Sequence, residues 1–158
     1  MVSRFAHAFR MNVIATDPLP IPDDWVRQMP LDALLSEADT ITLHVHLTGE
    51  TRGMIGAEQF SKMKQGSYLV NTSRGALIDE DAMLEVLNSG RLAGAGLDVV
   101  CGERHADRAQ RPLFKYAAEH DNLIITPHVG GCTLEGQHKA VLYFAAKLRD
   151  VWLQTESH

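Results

Sequence analysis

The hydrophobic positions of this chain fall into short runs of strand length, separated by segments in which apolar residues recur every three or four positions. The strand-length runs cover residues 12–16, 40–44, 67–72, 93–98 and 123–126. Strands that alternate with helical segments are typical of a parallel sheet with right-handed crossover connections. The pattern therefore predicts an α/β fold with a parallel sheet.

The helical segments differ in how sharply their ends are marked. The clearest begins with the acidic residues 79–81, continues with an apolar stripe of Met83, Val86 and Leu87, and is closed by Gly90. The last helix of the chain carries Val141, Phe144, Ala145, Leu148 and Trp152 on one face. The other predicted helices cover residues 4–10, 31–35, 56–63 and 113–118.

The first part of the chain departs from the usual order of such a fold. It opens with a helical segment, whereas an open α/β sheet normally begins with a strand that lies at its centre. We therefore expect the first strand and the glycine-rich turn after it to be absent; a shorter sheet that never had them is the alternative. The segment after the first predicted strand contains Pro18, Pro20 and Pro22 and is predicted to be a loop.

Composition and charge exclude several classes of function. The 158 residues suffice for one domain with its own core. A net charge of -5 disfavours binding to nucleic acid or to an anionic membrane. Cys101 and Cys132 are too far apart for a metal motif or a disulfide framework, which favours a reducing compartment. Neither a signal peptide nor a membrane span is predicted, so we expect a cytoplasmic protein.

Three residues with catalytic potential follow predicted strands. Arg74, Glu103 and His128 each come shortly after an apolar run, so a parallel sheet would gather them at its carboxyl edge, where such sheets bind ligands. An arginine can bind a carboxylate with two hydrogen bonds. An imidazole with a carboxylate partner can exchange a proton near neutral pH. This trio predicts reversible reduction of a small 2-keto acid to a 2-hydroxy acid.

Other strand ends suggest a dinucleotide site. Asp17 could accept the hydroxyl groups of an adenine ribose, which would select NAD, or it could simply start a turn before proline. Thr72 and Ser73 could lie along the dinucleotide. Asp98 needs hydrogen-bond donors, which either a nicotinamide carboxamide or backbone amides of the next turn could supply.

Five ordered segments resemble the NAD-dependent D-isomer-specific 2-hydroxyacid dehydrogenases, which include phosphoglycerate dehydrogenase and glyoxylate/hydroxypyruvate reductases. The resemblance runs from Ser3 to about Leu148 and implies a Rossmann-type doubly wound parallel sheet. The segments that carry it cover residues 8–18, 43–55, 63–75, 96–99 and 126–131. On this reading residues 1–150 form a partial dinucleotide-binding domain, and 151–158 form a tail leading toward an absent substrate domain.

The resemblance also implies roles for individual residues. Arg74 would bind the substrate, His128 would be the acid/base and Glu103 its partner. Residues expected to bind NAD are Asp17, Val45, Thr72, Ser73, Arg74, Asp98, His128, Gly130 and Gly131, and no metal is expected. His46 and Arg104 depart from the family pattern, since proline is common at both positions.

The resemblance leaves more than one function open. We expect an oxidoreductase whose isolated chain binds NAD weakly and turns over little. A NAD-binding regulatory module without catalysis, similar to corepressor members of the family, is the alternative, as is an inactive fragment that needs a partner chain. The expected partner is a small 2-hydroxy or 2-keto acid, and the full-length protein could form a homodimer.

Overall fold

Parallel strands and intervening helices make up the structure, a computed structural model that describes residues 1–155 apart from the side chains of residues 151 and 153–155. Within that part the strands are β1 (Val13–Ala15), β2 (Val26–Gln28), β3 (Thr40–Leu43), β4 (Ser67–Asn71), β5 (Leu92–Leu97) and β6 (Leu123–Ile125). The helices are α1 (Val2–Ala8), α2 (Leu31–Glu37), α3 (Ala57–Lys62), α4 (Glu80–Asn88), α5 (Pro112–Glu119) and α6 (Leu134–Thr155).

The strands form two sheets rather than the one that the sequence predicts. β3, β4, β5 and β6 pair in that order, and β1 pairs with β2, all in parallel. The predicted α/β architecture is confirmed, but β2 lies inside the segment that was predicted to be a loop. β1 contacts α2, the helix that leads into β3, so the small sheet lies beside the β3 edge of the large one.

Apolar side chains from the strands and from α2 to α5 form one core. Alternate residues of β4 are buried, among them Leu69, which is fully enclosed. Met83 and Leu87 are buried on the predicted stripe of α4, whose first turn is capped by the Asp79 carboxylate. Burying each of these side chains stabilises the fold by about 2 kcal/mol. The core thus fixes the large sheet and so the relative positions of its strand ends.

The last helix is as long as the sequence predicts, but its apolar stripe is not buried. Val141, Phe144 and Leu148 are all exposed. The helix continues without a break past residue 150, where the tail was predicted to begin, and residues 156–158 of that tail lie outside the described residues. Among the described helices none has the length and apolar character needed to cross a bilayer.

Candidate active site

A carboxylate and an imidazole from distant parts of the chain meet at the carboxyl edge of the large sheet. His128 follows β6 and Glu103 follows β5, and Nδ1 of His128 lies 2.5 Å from Oε1 of Glu103. Because a carboxylate only accepts hydrogen bonds, Nδ1–H is the donor and Nε2 is left to exchange a proton. The predicted pairing of these two residues is therefore present.

Hydrogen bonds from a backbone amide and from an arginine hold Glu103, the acidic partner of this pair, in place. Oε2 of Glu103 accepts a hydrogen bond from the Val100 amide at 3.2 Å, and Arg108 donates to the Glu103 carbonyl oxygen at 3.3 Å. Burial works to raise the pKa of Glu103, but the hydrogen bonds from His128 and Val100 outweigh it and hold that pKa below its usual value. Glu103 is therefore ionised at neutral pH and can keep the imidazole in one tautomer.

The loop that carries Glu103 is packed against the turn that carries Arg74. A Cβ atom on Gly75 would lie 2.3 Å from the carbonyl carbon of Val100 and 2.5 Å from the nitrogen of Cys101. Only glycine allows the two backbones to approach so closely. The carboxylate of Glu80 accepts a hydrogen bond from the Cys101 amide at 2.6 Å and also binds Arg111. These contacts determine where the loop leaves β5.

Asp98 holds the loop that carries His128. Its buried carboxylate accepts hydrogen bonds from the Thr126 hydroxyl at 2.5 Å and from the amides of Val129 at 2.9 Å and Gly130 at 2.8 Å. The Thr126 bond, together with the two amides, outweighs burial and lowers the pKa of Asp98. The sequence left open whether a nicotinamide carboxamide or backbone amides of the next turn supply the donors to Asp98. In the structure the amides of Val129 and Gly130 supply them.

His128 itself adopts an uncommon backbone conformation. Its φ is 56°, in the left-handed region that residues with a Cβ atom rarely occupy. Since Asp98 binds Thr126 before it and Val129 and Gly130 after it, the surrounding hydrogen bonds impose this conformation. The imidazole is thereby directed to Glu103.

Arg74 is near this edge but does not contact the pair. Its guanidinium Nη1 donates to the carbonyl oxygen of Ser73 at 2.5 Å, and the residue is exposed. The turn itself is well fixed. Buried Asn71 donates to the Arg74 carbonyl at 2.9 Å and accepts from the Ser73 amide at 3.0 Å, while the Ser73 hydroxyl binds the Leu43 carbonyl at 2.8 Å. The predicted trio is thus present as a pair with a separate arginine.

Asp17 lies where the sequence places it, at the end of β1. Its Oδ1 accepts a hydrogen bond from the Leu19 amide at 2.8 Å, which is the turn geometry of the simpler interpretation. Gln28 of β2 donates to the carbonyl oxygens of Asp17 and Leu19 at 2.7 and 2.9 Å. Within the described residues Oδ2 of Asp17 has no hydrogen-bond partner, so it is available to a ligand.

The other predicted cofactor residues differ in their surroundings. Val45 is half-buried against the core, and Thr72 is exposed just past β4. A Cβ atom on Gly130 would lie 2.8 Å from Oδ2 of Asp98, whereas one on Gly131 would meet nothing within 4 Å. A side chain at position 130 would therefore require the Asp98 carboxylate to shift, whereas one at position 131 would not.

A cavity of about 730 Å³ lies next to the Glu103–His128 pair. Phe114, Leu123 and Ile125 supply apolar walls from α5 and β6. The pair therefore borders a space that a small molecule could enter.

Several residues that shape the site had no predicted role. Asn71, Thr126 and Gln28 bind the turns next to Arg74, His128 and Asp17. Asn71 could have been noticed as a polar residue that ends a buried apolar strand, since such a residue needs partners. For Gln28 the sequence gives no such signal, because its strand was not predicted.

Parallel strands whose carboxyl edge holds a carboxylate–imidazole pair make this an α/β domain with a candidate ligand site at the edge where nucleotide-binding domains bind their ligands. The chain belongs to the family described as D-isomer specific 2-hydroxyacid dehydrogenase, NAD binding domain, whose model matches residues 1–130.

Known proteins with related sequences and structures agree with this assignment. A hydroxypyruvate reductase of Thermotoga maritima is 42% identical over 148 residues, which are 93% of this chain and 47% of that protein. The structure of a D-2-hydroxyisocaproate dehydrogenase matches with a TM-score of 0.88 and 30% identity over 96% of this chain and 49% of the other. A dehydrogenase from Lactobacillus delbrueckii ssp. bulgaricus in its NAD-complexed form gives a TM-score of 0.79 and 35% identity, covering 84% and 43%. The chain spans less than half the length of these proteins.

Proposed function

We propose that this chain is the nucleotide-binding part of an NAD-dependent oxidoreductase that interconverts D-2-hydroxy acids and 2-keto acids. The observation that carries the proposal is the 2.5 Å bond between His128 and Glu103. Reduction of a keto group requires a proton at the carbonyl oxygen, and an imidazole held by an ionised carboxylate is suited to supply it.

The residues present fit NAD as the cofactor. Asp17 offers a carboxylate oxygen at the end of β1 to the hydroxyls of an adenine ribose, and Thr72 is an exposed donor past β4. NAD, when bound, supplies or accepts the hydride at C2 of the substrate. His128 gives its proton to the carbonyl oxygen in the reducing direction and takes it back in the oxidising direction. Glu103 stabilises the charged imidazole throughout.

Arg74 would bind the carboxylate of the substrate. For this its guanidinium must leave the Ser73 carbonyl and turn toward His128. A charge-assisted pair with a carboxylate is stronger than the bond to a neutral carbonyl, so an arriving substrate favours that change.

The test is NADH oxidation followed at 340 nm with glyoxylate, pyruvate and hydroxypyruvate. We expect slow turnover that falls about 100-fold or more in His128→Ala. His138→Ala, which removes an exposed imidazole from α6, is the matched control and should leave the rate unchanged. Equal rates in His128→Ala and the unmodified chain, or a chain that binds no NADH, would contradict the proposal.

The position of Arg74 supports a second candidate, a NAD-binding module without catalysis. Its guanidinium contacts neither Glu103 nor His128 in the structure. NADH binding that is retained together with a rate that none of the keto acids stimulates would favour this candidate.

Cellular location and assembly are further parts of the proposal. Two cysteines that are unpaired in the structure support a reducing compartment, the cytoplasm. The exposed apolar stripe of α6 supports packing against another domain or a second subunit in the full-length protein, in line with a homodimer.

A further inference from the structure

Glu80, the first residue of α4, binds the chain at two points around the loop that carries Glu103. Its Oε1 accepts a hydrogen bond from the Cys101 amide at 2.6 Å, and its Oε2 lies 3.2 Å from Nη2 of Arg111, the residue just before α5. Only 14% of the Glu80 side chain is exposed, so water competes little for these charge-assisted bonds. One carboxylate therefore joins α4 to both ends of the loop between β5 and α5.

Arg111 also packs against this loop directly. A Cβ atom on Gly102 would lie 2.4 Å from Nη1 of Arg111 and 3.3 Å from its Cζ. Gly102 has a φ of 62°, in the left-handed region that glycine enters without strain. The guanidinium thus lies against the residue that precedes Glu103, at a point where the chain has no side chain to separate them.

The position of Glu103 depends on the residues that this ion pair holds. Only Cys101 and Gly102 separate Glu103 from Val100, whose amide donates to Oε2 of Glu103 at 3.2 Å. The other oxygen of Glu103 carries the 2.5 Å bond to Nδ1 of His128. A shift of this short segment would therefore move the acceptor that the imidazole needs.

We infer that Glu80 and Arg111 are positioning residues that hold Glu103 in the place where it binds His128. Among the described residues neither of them forms a hydrogen bond or ion pair with His128, so they act through the loop. A partly exposed ion pair adds little to the stability of a fold, whereas two bonds that fix one short segment determine its geometry. The inference rests on the proposed function, since it presupposes that Glu103 and His128 carry out proton transfer.

Nitrogen-15 NMR of the His128 ring tests the inference without cofactor or substrate. We expect Glu80→Ala to change the Nδ1 signal in the same direction as Glu103→Gln does, because both weaken the bond to the imidazole. Arg111→Met, which removes only the ion pair, should give a smaller change of the same kind. Glu85→Ala is the matched control, since it removes an exposed carboxylate from the same helix and should leave the signal unchanged. Circular dichroism checks that each variant is folded.

Enzyme kinetics provide a second measurement. Glu80→Ala should slow NADH oxidation about tenfold with unchanged NADH affinity, because displacing a reacting group by about 1 Å can cost up to about 100-fold. Glu80→Gln keeps an oxygen that can accept from the Cys101 amide, so it should recover most of the rate. Glu85→Ala should react like the unmodified chain.

The outcomes separate this inference from the proposed function. A folded Glu80→Ala chain with an unchanged His128 signal overturns the inference, even if the chain unfolds more easily, because that result indicates a purely structural role. A rate that falls equally in Glu80→Ala and Glu85→Ala also overturns it. If the unmodified chain oxidises no NADH with any keto acid, the proposed function fails, and the His128 signal still decides whether Glu80 positions Glu103.

Discussion

Replacing Gly75 with alanine tests whether the close approach of two backbones positions the candidate active site. The new Cβ atom would lie 2.3 Å from the carbonyl carbon of Val100 and 2.5 Å from the nitrogen of Cys101. Because both are backbone atoms, no side-chain rotation can relieve the clash, and the turn after β4 must move away from the loop after β5. Overpacking of this kind costs about 3 kcal/mol, at the upper end of the usual range.

Thermal unfolding followed by circular dichroism measures the effect. For a chain of 158 residues, about 3 kcal/mol corresponds to a fall in Tm of about 6–12 °C. Gly96→Ala is the matched control, since a Cβ atom there meets nothing within 4 Å and should change Tm by less than about 2 °C. NADH oxidation should also fall in Gly75→Ala because the displaced loop carries Glu103. Equal Tm values for the two variants would refute the reasoning.

Three further substitutions have defined outcomes. Since the Thr126 hydroxyl lowers the pKa of Asp98, the stabilisation that Asp98 gives is present at neutral pH and is lost as the pH falls through that lowered pKa. Urea unfolding between about pH 7 and pH 3 should show this loss, and Asp98→Asn should be about 2 kcal/mol less stable at pH 7 with a weaker pH dependence. Asn71→Ala should lower the free energy of unfolding by about 2 kcal/mol in the same assay, whereas the exposed Asn88→Ala should change it by less than about 0.5 kcal/mol. Glu103→Gln should slow NADH oxidation about 100-fold while the affinity for NADH, measured by titration, stays the same.

The strands of the large sheet and the pairing of two site residues could be predicted from sequence. Each strand is a compact apolar run, and parallel strands bring their carboxyl ends to one edge. The prediction that Glu103 and His128 meet follows from that rule, although 25 residues separate them. The resemblance to a known family indicated which of the eight histidines would be the acid/base.

Features that depend on non-local pairing could not be predicted. β2 has only Val26 as an apolar residue in three positions, and it is stabilised by pairing with β1 rather than by its own pattern. The orientation of Arg74 is equally undetermined by sequence, because a flexible side chain binds whichever acceptor lies nearest, here the Ser73 carbonyl. The role of Gly75 could not be predicted either, because it depends on where the backbone of Val100 lies in the folded chain.

NMR spectroscopy of the His128 ring nitrogens tests most directly the claim that Glu103 holds this imidazole ready for proton transfer. With the chain labelled with nitrogen-15, a two-bond proton–nitrogen spectrum at neutral pH reports which ring nitrogen carries the proton. The structure predicts a protonated Nδ1 bound to Glu103, and a change in that signal in Glu103→Gln. A neutral ring protonated on Nε2 alone, or a spectrum that Glu103→Gln leaves unchanged, would contradict it.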